Sequence, residues 1–262
     1  MNKYSKYKIA INILILIIIF QAILLFHFLP KQVKRKAPVA FAARIAIVID
    51  DWGYNVNNLH FLDEIPYSLT ISILPNLYYS QDIARQVSNS NGREVILHLP
   101  LEPLPSEQMR LERNTIMTAM TEREIKDIFI KDVNNIPGLR GVSNHMGSKA
   151  IADPLVMGAV FREMQKKGLY FLDSMVSKNS VSEKLSREMK VKFAKRDVFL
   201  DNKSEVEYIK GQINKLKLRA KLRGFAIGIG HDRKLTLEVL KEVMPQLEKE
   251  GYKFVFVSEL AK

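Results

Sequence analysis

The sequence contains no cysteine, which excludes disulfides and thiolate chemistry and leaves the redox compartment open. It lacks internal repeats and low-complexity tracts, so a solenoid or repeat array is excluded. Acidic residues are missing from residues 1–38, which hold seven Lys or Arg, so of the formal net charge of +12 the remainder carries only +5. The basicity therefore belongs largely to the N-terminal segment. Beyond it there is no long basic run and no basic stripe interleaved with aromatics, so no nucleic-acid partner is expected. Nothing in the sequence identifies a protein partner.

The first positive feature is an apolar run. Ile9 to Leu29 is interrupted only by Asn12, Gln21 and His27, with no formal charge between Lys8 and Lys31. At about 1.5 Å per residue, a helix of that length just crosses a hydrocarbon core. Residues 9–29 are expected to meet the membrane, as an anchor or a signal segment, with the following domain outside the cytoplasm. Ala40-Phe41-Ala42 has the small-x-small form of a cleavage site but lies far beyond Leu29, which favours an uncleaved anchor. Basic residues on both flanks leave orientation undecided by charge, and Lys31 to Lys36 suit anionic headgroups. The chain thus divides into residues 1–38, with flank, apolar segment and basic juncture, and one domain over 39–262.

From Arg44 short apolar runs alternate with helical patterns. Strands are expected over Ile45–Ile49, Ser68–Ile73, Glu94–His98, Leu139–Ser143, Leu169–Leu172, Val191–Ala194, Phe225–Gly230 and Lys253–Val257. Several are continuous apolar runs, which suits parallel strands covered on both faces. Thr121 and Glu124 form a capping-box pattern, Asp153-Pro154 reads as N-cap and first helical residue, and Ser204 is placed to cap the next helix. A last helix is expected from about Thr236 to Glu250. This alternation implies an α/β fold, a (β/α) barrel of seven or eight strands rather than an open doubly wound sheet.

The expected carboxyl ends of the strands carry the polar residues, where α/β enzymes place their chemistry. Ile45–Ile49 runs into Asp50-Asp51, adjacent carboxylates whose repulsion calls for a cation or a shared proton unless they lie in a solvated turn or cap a helix. Glu94–Leu97 runs into His98 and then Glu102. His145 follows Ser143-Asn144 in a polar, glycine-containing stretch assigned to a loop. Asp173-Ser174, Arg196-Asp197 with Asp201-Asn202 nearby, and Gly230-His231-Asp232 complete the series. Three of the four histidines beyond His27 fall at such ends. One histidine alone is more often a packed, hydrogen-bonded residue, but the set fits N and O coordination of a divalent metal, zinc being the commonest choice.

The blocks Ile49-Asp50-Asp51-Trp52-Gly53, Leu97-His98-Leu99-Pro100-Leu101-Glu102-Pro103, Ser143-Asn144-His145-Met146-Gly147-Ser148, Phe171-Leu172-Asp173-Ser174, Arg196-Asp197-Val198-Phe199-Leu200-Asp201 and Ile229-Gly230-His231 resemble those of the divergent polysaccharide deacetylases. The resemblance runs from about Arg44 to the C-terminus. It implies a distorted (β/α) barrel, an envelope or secreted location, and metal-dependent hydrolysis of N-acetyl groups on a glycan. It also implies Asp50 as general base, Asp51 and His98 as metal ligands, and His231 as the acid that assists the leaving group. Asp197 or Asp173 is expected to orient His231. In the larger group of carbohydrate deacetylases a second histidine stands four residues after the first, where this chain has Glu102, and an arginine-proline motif is not evident. The third ligand is therefore either His145 or Glu102, with His145 favoured because neutral imidazole leaves the metal more able to acidify water. The same departure leaves open a non-catalytic glycan-binding or structural envelope protein that has lost part of the metal site.

Overall fold

The computed structural model describes residues 3–28, 43–105 and 110–262. The chain divides into two units, Met1–Val39 and Ala40–Lys262. In the first, Lys3–Phe28 forms helix α1. Among the described residues no helix is long and apolar enough to cross a membrane, so the expected span is not found there. Leu29, the basic juncture Lys31–Lys36 and Ala40-Phe41-Ala42 lie outside the described residues.

The second unit is built on one parallel sheet. In chain order its elements are β1 (Ala43–Trp52), α2 (His60–Glu64), β2 (Leu69–Ile73), α3 (Ser80–Ser88), β3 (Arg93–Leu101), α4 (Glu122–Asn135), β4 (Gly141–Met146), α5 (Pro154–Lys167), β5 (Tyr170–Asp173), α6 (Ser182–Glu188), β6 (Phe193–Lys195), β7 (Val198–Phe199), α7 (Val206–Arg223), β8 (Phe225–His231), α8 (Lys234–Lys249) and β9 (Tyr252–Phe254). The sheet runs β6-β5-β4-β3-β2-β1-β8-β7, with β9 on β1. It is a distorted (β/α) barrel, as expected, with one strand more than expected. β7 is not legible in the sequence because two residues show no period; only its pairing with Gly228 and Ile229 defines it. The path's two ends, β6 and β7, are consecutive in the chain and joined by Arg196-Asp197. Arg196 N–H bonds Asp173 O of β5 and Asp197 N–H bonds Ile227 O of β8, so this dipeptide spans the seam.

Strand alternation sorts the side chains into two cores. Ile45, Ile47, Ile49, Leu69, Ile71, Val95, Leu97 and Val142 face the helices and join the large core. Ala46, Val48, Ile96, Tyr170, Leu172, Ile227 and Ile229 face inward and pack with Val255, Val257 and Leu260. The last residues close the barrel at the strands' starting end, where Phe193 and Lys262 exchange backbone hydrogen bonds. Above that plug the buried Glu94 carboxylate accepts from Thr70 and from Tyr170, at 2.9 and 2.8 Å.

The helix caps follow the sequence with one exception. Thr121 and Glu124 form the capping box of α4, and Asp153 accepts from Leu155 and Val156 N–H ahead of Pro154. Gly168 and Gly224 end α5 and α7 in the left-handed conformation that favours glycine. Ser204, however, does not cap α7. The N-cap is Glu205, and its side chain makes no capping bond.

Candidate active site

The alternation that buries Ala46 and Val48 carries Asp50 onto the same inward face, and it does so for Ser72, His98, Ser143, His145 and His231 on their strands. These residues form the top layer of the barrel, at the carboxyl ends of the strands. Asp50 and His231 are direct neighbours in the β1–β8 register.

A regular strand would send Asp51 to the opposite face. It does not, because β1 carries an extra residue here: Ile49 pairs with Ile71 and Trp52 with Ile73, so three steps on β1 match two on β2. Asp51 takes a φ of 67°, a left-handed conformation that costs a non-glycine residue energy and that Asp tolerates better than most. The bulge lets two consecutive carboxylates face one imidazole. His98 Nε2 stands 3.2 Å from Asp51 Oδ1 and 3.7 Å from Asp50 Oδ2, and His145 Nδ1 is 3.2 Å from the same Asp51 oxygen. The two imidazoles meet edge to face, with centroids 4.9 Å apart. Among the described residues, Asp51, His98 and His145 form the one group whose ligand atoms lie close enough together to hold a metal ion, all within 4.8 Å of one another.

The surroundings fix this group. His98, 3% exposed, has its Nδ1 2.8 Å from Ser143 Oγ, which is 2.8 Å from Ser72 Oγ. His145 belongs to β4 rather than to a loop, opposite Pro100 of β3; the chain turns only after it, at Met146 and Gly147, both with positive φ. Gly147 is required there, since a Cβ would stand 2.7 Å from Leu101 Cβ. Asn144 locks the adjoining strand end, accepting from Ser174 N–H and donating to Met146 O.

Glu102 stands apart from the cluster. Its Oε1 takes a 2.6 Å salt bridge from Lys149, and its Oε2 accepts from Thr118 N–H and Oγ1 at 2.5 and 2.7 Å. Both oxygens are committed, and although burial opposes it, these partners hold the carboxyl below its usual range. The reason is local: Pro103 follows, and the backbone at 102 bonds Ile116 and receives Lys149 and Ala150, tying the residue to neighbouring loops.

The partner of His231 differs from both expected residues. Asp201 Oδ1 lies 2.7 Å from His231 Nδ1, and its Oδ2 accepts from His231 N–H and Thr236 Oγ1. Asp173 alternates away from the barrel interior and accepts from Met175 N–H and Ser180 Oγ. Asp197 sits lower in the barrel wall, binding Arg223 at 2.5 Å and Ile227 N–H. Both expected aspartates are thus corrected to Asp201, which sequence order does not distinguish from its neighbours near the seam.

Nothing in the sequence assigns Arg196 a role of its own. Its guanidinium donates to Ser174 O and Met175 O and lies 3.6 Å over the Phe199 ring, which stacks on His231. Burial lowers it to about 10, opposed by the charges of Asp173 and Asp50.

The electrostatics separate the acids. Burial raises Asp50, only partly offset by His98, and leaves its Oδ1 with no hydrogen-bond partner. Burial also acts on Asp51, but the bonds from His145 and His98 prevail and hold it well below the ordinary range. For His231 burial acts downward, and the bond and charge of Asp201 raise it on balance. Above these groups opens a cleft of about 460 Å³, walled by Tyr54, Arg110, Glu112, Val176, Phe199 and Arg233. Tyr54 donates to Glu112 across it.

The parallel barrel thus carries two carboxylates and three imidazoles on its carboxyl-end rim, where α/β folds place their chemistry, with an Asp/His group able to hold a metal ion. The chain belongs to the divergent polysaccharide deacetylase family, whose model matches residues 47–261. The protein named Uncharacterized protein YibQ of Escherichia coli strain K12 is 35% identical over 206 residues, 79% of this chain and 64% of that protein. The chain therefore spans less than two thirds of that relative. An uncharacterized protein of Haemophilus influenzae is 31% identical over 79% of this chain and 73% of its own length. The crystal structure of uncharacterized protein ATU2773 from Agrobacterium tumefaciens C58 superposes with a TM-score of 0.80 at 23% identity, covering 86% of this chain and 92% of that one. The Bc1960 peptidoglycan N-acetylglucosamine deacetylase shares the fold more loosely, with a TM-score of 0.52 at 14% identity over 85% of this chain and 89% of its own.

Proposed function

We propose that this chain removes N-acetyl groups from a glycan of the cell envelope, with a divalent cation, zinc first, held by Asp51, His98 and His145. The observation that carries the reading is the meeting of His98 Nε2 and His145 Nδ1 on one Asp51 oxygen, beside Asp50 and His231. The residues fit such an ion. Asp51 Oδ1 is buried and faced by the two ring nitrogens, and the His98 tautomer with its proton on Nδ1, toward Ser143 Oγ, would turn the Nε2 lone pair to the ion. One carboxylate and two imidazoles match the donor set and open position of catalytic zinc.

When bound, the metal would supply Lewis acidity toward the acetamide carbonyl and toward water. The chain's residues then divide the proton work. Asp50, made more basic by burial, is placed to take the proton from the attacking water. His231, whose proton is retained through Asp201, is placed to give one to the departing amine. Asp201 fixes the ring from one side and Phe199, under Arg196, from its face. The Bc1960 fold relationship supports peptidoglycan fragments among the first substrates to try.

Purified full-length chain with added zinc should release acetate from N-acetylglucosamine oligomers or peptidoglycan fragments, and Asp50→Asn should abolish the release. Zinc-loaded protein that frees no acetate from any of these defeats the enzymatic reading; retained glycan binding would then mark a non-catalytic protein. We also infer that residues 9–29 keep the domain at the membrane outside the cytoplasm, a reading supported by their apolar sequence alone. Recovery of the chain in the soluble cytoplasmic fraction overturns it.

A further inference from the structure

We propose that the end of the barrel opposite the candidate active site is a docking surface for an anionic lipid bilayer. This inference is independent of the deacetylase reading. Helix α7 buries Ile209, Ile213, Leu216 and Ala220 against the sheet, yet turns Leu218 and Leu222 outward, 63% and 85% exposed. Spaced by four, they lie on one face of the helix. Lys215, Arg219, Lys221 and Arg223 are exposed around them. α7 descends to Gly224 and Phe225, the first residue of β8, so its last turns stand where the parallel strands begin and the rim of Asp50, His98 and His231 is at the other end.

A second basic group lies at the same end. Lys262 is hydrogen-bonded through its backbone to Phe193 and places its Nζ 5.7 Å over the Phe225 ring, while the Arg223 guanidinium stands 5.2 Å over the same ring. Lys190, Lys192 and Lys262 border an open hollow of about 490 Å³. Acidic groups there are largely engaged: Asp197 by Arg223, Glu183 by Lys195 and Arg187, and Glu259 by Phe256 N–H. Exposed leucines ringed by cations complement an anionic headgroup layer, into which the leucines insert while the cations stay at the phosphates. A soluble polyanion has no use for the leucines, and an apolar protein groove has none for the cations. Each basic residue near an anionic leaflet strengthens such docking roughly fivefold, within a Debye length.

The chain's lack of cysteine permits a clean test. Full-length Leu222→Cys, carrying a polarity-sensitive fluorophore, is mixed with phosphatidylcholine vesicles with and without phosphatidylglycerol. Tyr78→Cys, on an exposed residue of the opposite rim, serves as the reference label. The expected result is a blue shift at 222 only when phosphatidylglycerol is present, reversed by high salt, absent at 78, and lost in Lys215→Glu/Lys221→Glu. A label at 222 that stays in water with both vesicles overturns the proposal. So does an equal shift at 78, or a shift indifferent to the two charge reversals.

Discussion

Asp201 grips His231 twice, with Oδ1 2.7 Å from the ring Nδ1 and Oδ2 2.8 Å from the backbone nitrogen of the same residue. Ring orientation, tautomer and strand end are thus set by one carboxylate, itself fully buried and bonded to Thr236. The pair is a structural unit whatever chemistry it carries.

Removing that charge should release the proton of His231 earlier. Burial lowers the His231 pKa, and Asp201 more than restores it, so Asp201→Asn should move the alkaline limb of the acetate-release profile to lower pH and reduce kcat on the order of 10²-fold or more. The linkage has the same sign. A histidine raised in the folded state contributes stability fully present below its unfolded pKa, and this is lost as pH rises through the raised value. Thermal melts of parent and Asp201→Asn should therefore differ most on the acid side of that window. An unchanged pH profile would remove Asp201 from the proton chemistry.

Zinc affinity should separate the two rival carboxylate and imidazole positions. His145→Ala and His98→Ala should each lose zinc by orders of magnitude in calorimetric titration, whereas Glu102→Gln should bind it within a few-fold. The Glu102 variant should instead lose stability, about 1–3 kcal/mol, because the amide keeps one acceptor oxygen and no charge, so Lys149 and Thr118 are no longer both satisfied. Zinc binding that survives at His145→Ala and fails at Glu102→Gln reverses the assignment.

Ser143→Ala tests the hold on His98 without touching a ligand. Outer partners of metal-binding histidines typically contribute 10–100-fold in affinity, and Ser143 is the hydroxyl joining His98 to Ser72. A fall of that size in zinc affinity is expected, with circular dichroism unchanged.

Asp132 of α4 gives a prediction away from the site. It is fully buried, Oδ2 has no partner, Oδ1 accepts from Asn76, and burial pushes the carboxyl up to about 7. Between the unfolded carboxylate value, about 4, and about 7, the folded state holds a proton that the unfolded chain has lost. Stability should fall as pH rises through that window, by an amount on the order of a few kcal/mol, and level off above it. Asp132→Asn should flatten this part of the melting profile; a parent profile already flat from pH 5 to 8 contradicts the burial argument.

The sequence by itself determined most of the barrel and the inner layer of the site. Period-two alternation is written in Ala46-Val48-Asp50, Ile96-His98 and Ile227-Ile229-His231, and side chains two apart must share a face. Caps such as Thr121 with Glu124 are equally local. Tertiary structure decided what depends on partners far away in the chain. Asp51 joins the imidazoles only because a bulge against β2 turns it inward, and no local pattern announces a bulge. His145 was favoured over Glu102 only by ligand type, and it is pairing with β3 that brought His145 to Asp51 while Lys149 and Thr118 claimed Glu102. Asp173 and Asp197 were expected to orient His231, and nothing along the chain marked Asp201 as the partner instead. The seam between β6 and β7 separated them, because a hydrogen bond is decided by ångströms in space and sequence distance carries no such information.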